Sequence, residues 1–276
     1  MQNDELKVAA VLNQIDGYDH TRTAFVGVPA IIMMNFQSAN IGEKVGGYAD
    51  ASGTPTAALA GAFDYVDGAL VRILAELDAQ GLTDSTLVIV TAKHADSPIN
   101  LATRSGIDPA LIDATVESVR PGLLAHDTPD SISLIWLTDH SRAADVAAAI
   151  AANAALRAET IYFGDSINQI FGGTLAFAAN RKPDVIIQPQ PGVIYTTTSV
   201  ATKKVEHGGF TEENIHVPLV VAGPGVAVRT VHIPVDLRQV APTILNALGL
   251  KPNDLAAVRR EHTHQLPTAD DDNNAQ

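Results

Sequence analysis

Thr86-Leu-Val-Ile-Val-Thr-Ala-Lys-His-Ala-Asp-Ser-Pro-Ile-Asn100 is the stretch on which the reading of the fold turns. Leu87 to Val90 is a short apolar, β-branched run, the pattern of a strand buried on both faces. It runs into a small polar loop that begins at Thr91 and carries Lys93, His94 and Asp96. In open α/β sheets ligands bind just past the carboxyl ends of strands. His94 is therefore a site candidate on position alone. The competing interpretation is a loop histidine satisfied by its own surroundings.

Upstream of this strand, Asp4 to Ile15 has helical periodicity and stops at Asp16-Gly17, glycine being the usual terminator. Val28 to Phe36 reads as a strand entered through a proline. Gly42 to Pro55 reads as a glycine-rich loop in which Asp50 is either a turn carboxylate or a ligand. Thr56 to Gln80 is a long amphipathic helix, with Leu59, Phe63, Val66, Leu70, Ile73, Leu74 and Leu77 at helical spacing.

Downstream, helices are expected at Asp108 to Val119, His140 to Leu156, Ile167 to Ala179 and Leu237 to Leu248. Strands are expected at Ser131 to Leu137, Thr160 to Phe163, Asp184 to Gln188, Val193 to Tyr195 and Val217 to Ala222. This alternation predicts an α/β fold, a mostly parallel sheet sandwiched between helices. Residues 1–266 are read as one domain, and the acidic tail 267–276 as disordered. Thr196 to Asn214 has no periodicity, yet it holds Lys203, Lys204, Glu206 and His207 followed by Gly208 and Gly209. Long irregular stretches in compact domains are usually functional.

Composition narrows the partners. The 276 residues are 46% hydrophobic and carry a formal net charge of −13. That balance argues against a nucleic-acid duplex or an anionic membrane, both of which require a basic face. With no cysteine, disulfides and thiolate metal sites are excluded. No apolar run approaches the roughly 20 residues that span a bilayer. The polar, acidic opening Met1-Gln-Asn-Asp-Glu is no signal peptide. An anionic small substrate is compatible with the composition if a metal or a few lysines supply local positive charge.

Nucleophile-elbow, Walker, dinucleotide-binding and His-Glu-x-x-His signatures are absent. The His262-Thr-His264 pair sits next to the tail and is read as structural or incidental. Asp50, His94 and His207 remain, each in a loop expected to flank a strand. Two imidazoles and a carboxylate are a normal ligand set for zinc.

Several segments together resemble the alkaline phosphatase superfamily, in particular its type I phosphodiesterase/nucleotide pyrophosphatase branch. Lys93-His94-Ala95 stands where that branch has Asp-His-Gly after a strand. Glu206-His207-Gly208-Gly209-Phe210 matches its His-Gly ligand motif, followed by the strand-like His216 to Gly225 and the helix Gln239 to Gly249. Asp50-Ala-Ser-Gly53-Thr54 stands in place of Asp-x-x-Gly-His. The resemblance spans almost all of residues 1–260. It implies an alkaline phosphatase-like fold, divalent metal (usually zinc) and hydrolysis of phosphodiester or pyrophosphate bonds in an anionic phosphate-ester small molecule. The implied route passes through a covalent phospho- or nucleotidyl-enzyme. It also implies Asp50 and His207 in one metal site and His94 in the other.

Two departures change the expectation. Thr54 replaces a histidine ligand and is reassigned to substrate binding. Lys93 replaces an aspartate ligand, and an ammonium cannot bind a metal; Lys93 is expected to stabilise charge at the catalytic centre and contact substrate. The family's N-terminal portion, with its nucleophile, has no counterpart here, and the chain reads as beginning after it. Alternatives are a truncated or non-catalytic relative that keeps the fold, or a sulfatase or phosphonate hydrolase of the same superfamily. Family members are often secreted or periplasmic, which leaves the compartment open.

Overall fold

Strands and helices alternate along the chain, and the fold is α/β. The computed structural model describes residues 1–50, 52–171 and 181–267. In order, the chain forms α1 (Gln2–Ile15), α2 (Ser38–Val45), α3 (Ala57–Ala79), β1 (Val88–Thr91), β2 (Ser97–Pro98), β3 (Ser105–Ile107), α4 (Ala110–Val119), β4 (Leu124–Pro129) and β5 (Ser133–Leu137). Then come α5 (Ala143–Ala152), β6 (Ala158–Phe163), α6 (Asp165–Ile170), β7 (Val185–Pro189), β8 (Val193–Tyr195), β9 (Val205–Glu206), α7 (Glu212–Ile215), β10 (Leu219–Ala222), α8 (Val240–Ala247) and α9 (Ala256–Glu261). These elements fall into two compact units. One comprises Met1–Ala39, Ala60–Lys93 and Val217–Gln276; the other comprises Asn40–Leu59 and His94–His216.

In the first unit, Val11 and Ile15 of α1 pack with Leu77 of α3, joined by Ile32, Met34, Ile73, Leu82 and Val88. The start of α1 is tied down by the buried Asp4 carboxylate. It accepts from the Ser38 backbone and hydroxyl, each at 2.7 Å, and from the Gln37 amide at 2.8 Å. Burial works against that charge, but the Ser38 bonds and their neighbours outweigh it and hold the carboxyl below its usual range.

Two expectations fail in this unit. Val28 to Phe36 is not a strand, although it keeps a period of two: Ile32 and Met34 face the core while Ile31 is 56% and Met33 90% exposed. The side chains alternate, but no ladder partner is present among the described residues. β1 forms as expected but is not buried on both faces. It pairs antiparallel with β10 in a two-stranded ladder, which leaves Val220 57% exposed.

The second unit is organised by a four-stranded sheet in the order β4-β5-β7-β6. One face is covered by α4 and α5, which present Ile112 and Val116, and Val146 and Ile150, four residues apart in each helix. They meet Ile135 and Leu137 of β5 and Val185 and Ile187 of β7. Each such fully buried side chain contributes about 1.5–3 kcal/mol. The intervening Ile186 points to the opposite face and joins Ile132 and Ile167, as the two-residue period of a strand requires. Tyr195, also buried, donates its hydroxyl to Leu156 O at 2.9 Å.

The expected parallel character is only partial. β3 and β8 pair parallel, but β4, β5, β7 and β6 are antiparallel throughout. The reason lies partly in β4, which sequence reading did not separate from its surroundings. Residues 130–132 reverse the chain directly into β5, and so short a connection permits only an antiparallel neighbour. The helix expected over Ile167 to Ala179 is present as α6 up to Ile170; its remainder from residue 172, like the tail from residue 268, lies outside the described residues. No described helix is long and apolar enough to cross a membrane.

Candidate metal centre

Two segments more than a hundred residues apart build the site, and a very short ladder joins them. β2 and β9 pair antiparallel with Ser97 opposite Glu206 and Pro98 opposite Val205. The residue before Ser97 is Asp96 and the residue after Glu206 is His207, so the register delivers these two side by side. A second tie, Ala95 N to Asn214 O at 3.0 Å, holds the loop that carries His94. The His94 and His207 rings lie with centroids 4.0 Å apart and planes at 31°. One potential ligand atom from each of His94, Asp96 and His207 lies within 4.8 Å of the others, and all three residues are half-buried.

The glycines after His207 have a steric reason. Gly208 adopts φ +103°, and a Cβ there would meet Ser131 Oγ at 3.1 Å. The Ser131 hydroxyl donates to the His207 carbonyl. A Cβ on Gly209 would approach Gln188 Oε1 to 3.0 Å, while the Phe210 amide donates to that same oxygen. A larger residue at either position would disturb the segment that carries His207.

Helix α2 supplies the rest of the site. Residues 42–45 were expected to lie in a loop, and Gly42 in their midst weakens any helical signal. The helix places Asn40, Glu43 and Lys44 at i, i+3 and i+4, on one face. Asn40 Nδ2 donates to Asp96 Oδ2 at 2.9 Å. The other oxygen, Asp96 Oδ1, is buried with no hydrogen-bond partner among the described residues. Burial pushes the Glu43 carboxyl up to about 7; the Tyr48 hydroxyl, donating at 2.6 Å, opposes that rise and the nearby Asp96 reinforces it. Lys44 Nζ stands 3.3 Å from His207 Nε2. An ammonium can only donate, so this contact assigns the ring's lone pair to Nε2, and a cation bound there would displace the Lys44 ammonium from that nitrogen. Burial first, then His94 and Lys44, hold His207 below its ordinary value, which favours the neutral ring that a metal needs. His94 Nδ1 lies 3.2 Å from Ala95 O, a donor arrangement that leaves its Nε2 available.

This donor set fits a divalent cation. It offers two imidazole nitrogens and one carboxylate, and the buried Asp96 Oδ1, close to the Glu43 carboxyl, is placed to accept either a cation or the proton that Glu43 retains. His94 and His207, which the resemblance implied in separate metal sites, lie in one group. Asp50 is not in the group: its Oδ1 accepts from Ser52 Oγ at 2.6 Å and from the amides of Ser52 and Thr54 at 2.9 and 3.2 Å. Those bonds, Ser52 first, bring the exposed Asp50 carboxyl down to about 2. Thr54 closes the same turn, its carbonyl accepting from the Ala49 amide at 2.7 Å. Lys93 is exposed and makes no hydrogen bond or ion pair among the described residues. Among the described residues, neither His262 nor His264 joins a metal-ligating group. Asp96, Asn40, Glu43 and Lys44 were not singled out from sequence. The available signal was the His94-x-Asp96 spacing and the polar 40/43/44 face.

A search of the curated proteins finds no match to the chain. The family model described as sulfatase matches residues 36–250, a span that contains α2, the Asp50 turn and every residue of the His94, Asp96 and His207 group. A match over that much of the sequence makes the chain a member of the sulfatase family, within the alkaline phosphatase superfamily of hydrolases.

Proposed function

We propose that this protein is a metal-dependent hydrolase of phosphate esters, acting on a phosphodiester or pyrophosphate bond of a small anionic substrate. The observation that carries the reading is the convergence of His94, Asp96 and His207 with one Asp96 oxygen buried and unpartnered. These three side chains would hold the cation, zinc being the metal that best suits two imidazoles and a carboxylate. When bound, it supplies the positive charge that polarises the phosphoryl oxygen. Lys44, adjoining His207, adds a second positive charge on the same side. Asn40 orients Asp96, and Tyr48 orients Glu43. Lys93 keeps its proposed part as a charge stabiliser that meets substrate oxygens. Asp50 and Thr54 enter as a separate cation or substrate contact that would require their turn to open.

In the covalent route that the resemblance implies, a hydroxyl loses its proton as it attacks phosphorus, the leaving oxygen departs with the P–O bond electrons and takes up a proton, and water then releases the phosphoryl group; the sequence assigns that hydroxyl to no residue of this chain. That route predicts a mass increase in acid-quenched protein. The family match supports sulfate-ester hydrolysis as a second reading.

The test compares bis-p-nitrophenyl phosphate with p-nitrophenyl sulfate, with and without added zinc, alongside the metal content of the purified chain. Zinc-dependent turnover of the phosphodiester, lost in His207→Ala, is the expected result. Faster turnover of the sulfate ester would replace the phosphoesterase reading by the sulfatase one. Bound metal with neither activity would leave a non-catalytic relative.

A further inference from the structure

The loop that carries His94 and Asp96 and the loop that carries His207 are both bonded to one buried residue. Asn214 stands on the short helix α7 and is only 7% exposed. Its carbonyl accepts from the Ala95 amide at 3.0 Å. Its Nδ2 donates to Ser97 Oγ and, at 3.2 Å, to Thr211 Oγ1. Its Oδ1 accepts from the Gly209 amide at 3.0 Å. Ala95 and Ser97 flank Asp96 in the chain, and Gly209 lies two residues beyond His207.

These bonds need an asparagine. The short, planar amide offers two donors and an acceptor at once, whereas aspartate of the same shape has no donor when ionised and leucine has neither. Burial removes water as a substitute partner, so the bonds that Asn214 makes are set by the protein. Other side chains act on one loop only. Ser131 donates to the His207 carbonyl, Gln188 accepts from the Phe210 amide, and Asn40 donates to Asp96. The β2–β9 ladder joins the two loops through backbone, which any residue supplies. Asn214 adds a side-chain tie that depends on residue identity.

We infer that Asn214 is a positioning residue for the cation: it fixes His94 and Asp96 relative to His207, so that the three side chains are already gathered when a metal arrives. The inference rests on the metal-binding role proposed for these three residues and is independent of which ester is cleaved. Asn214 touches none of the three ligand side chains, so it acts through the backbone of Ala95 and Gly209 and through the Ser97 hydroxyl. Outer partners of this kind typically change metal affinity 10- to 100-fold.

The experiment is zinc titration of the full chain against a competing chelator, with the visible spectrum of the cobalt(II) form as a second readout. Asn214→Ala should weaken zinc binding about 10- to 100-fold and alter the cobalt spectrum, because displaced ligands change the field at the ion. Asn153→Ala is the control. Asn153 belongs to the same compact unit, donates to Thr115 Oγ1 at 2.9 Å and accepts from the Ala155 amide at 3.2 Å, so its loss should lower the urea midpoint and leave zinc affinity and spectrum unchanged. Ser97→Ala removes one partner of the Asn214 amide and should weaken zinc by a smaller factor. The double variant should be no worse than Asn214→Ala alone, since both changes break the same tie. Circular dichroism establishes folding, and Ser97→Ala carries the test if Asn214→Ala does not fold. Unchanged zinc affinity in the folded variant, an equal loss in Asn153→Ala, or losses at Ser97 and Asn214 that simply add would overturn the inference while leaving the metal centre standing. No zinc binding by the unaltered chain would overturn both.

Discussion

Asp50 and Asp96 are both loop aspartates of the same compact unit, and they have opposite fates. Asp50 is exposed, and its own turn fills one of its oxygens with three hydrogen bonds. Asp96 is half-buried, anchored through one oxygen by Asn40, and its other oxygen is desolvated and unpartnered. Exposure and saturation suit the first to holding its turn; desolvation and spare acceptor capacity make the second the better candidate ligand. A carboxylate's availability is set by what already occupies its lone pairs, and the sequence around it records that poorly.

The largest expected effect separates the two directly. Asp96→Asn and His207→Ala should each weaken metal affinity by more than the roughly 100-fold lost when only a ligand's supporting hydrogen bond is removed. Asp50→Asn should leave it unchanged, as read by metal titration against a competing chelator. Equal losses for Asp50→Asn and Asp96→Asn would erase the distinction. Asn40→Ala comes next. It keeps the ligands but releases Asp96, so affinity should fall about 10- to 100-fold. An unaltered affinity would mean that Asp96 needs no orienting partner.

The smallest effect concerns Glu43, whose carboxyl is driven up to about 7 from an ordinary 4.5 by burial, with Asp96 contributing. The folded chain therefore binds more protons than the unfolded chain between these values, and stability falls as pH rises through that window. The penalty is absent below 4.5 and complete above 7. Glu43→Gln keeps an acceptor for Tyr48 and removes the charge. In chelated protein it should add about 1–2 kcal/mol at pH 8, once solvent screening of this half-buried group is allowed for. At pH 4 it should add nothing. A urea midpoint shifted equally at both values would show that the gain is not electrostatic.

Much of the frame was legible because it rests on local pattern. Helices α1, α3 and α4 follow their apolar spacing, and His94 and His207 stand out as imidazoles beside small residues. Three features were not legible. Residues 28–36 alternate like a strand, and only the tertiary structure reveals that no ladder receives them. Helix α2 is brief and contains Gly42, so Glu43 and Lys44 were read as the start of a glycine-rich loop and the Asn40/Glu43/Lys44 face was not recognised. Asp96 reaches His207 through the pairing of Ser97 with Glu206, a contact between distant residues that no sliding window detects. Strand direction was misjudged in part for the same reason: alternation of elements does not reveal a hairpin such as β4–β5.

The ladder of β2 and β9 has one further consequence. It has only two residue pairs, and the end of the segment that carries the candidate ligands is held beyond the β3–β8 ladder by these and a few single hydrogen bonds such as Ala95 N to Asn214 O. A cation gripped by residues on both sides of that junction would act as a clasp. By mass action it would draw the open forms toward the closed one in proportion to its free concentration, by about 2.7 kcal/mol at 100 times its dissociation constant. Metal supply would then govern how long the chain persists as well as what it can do.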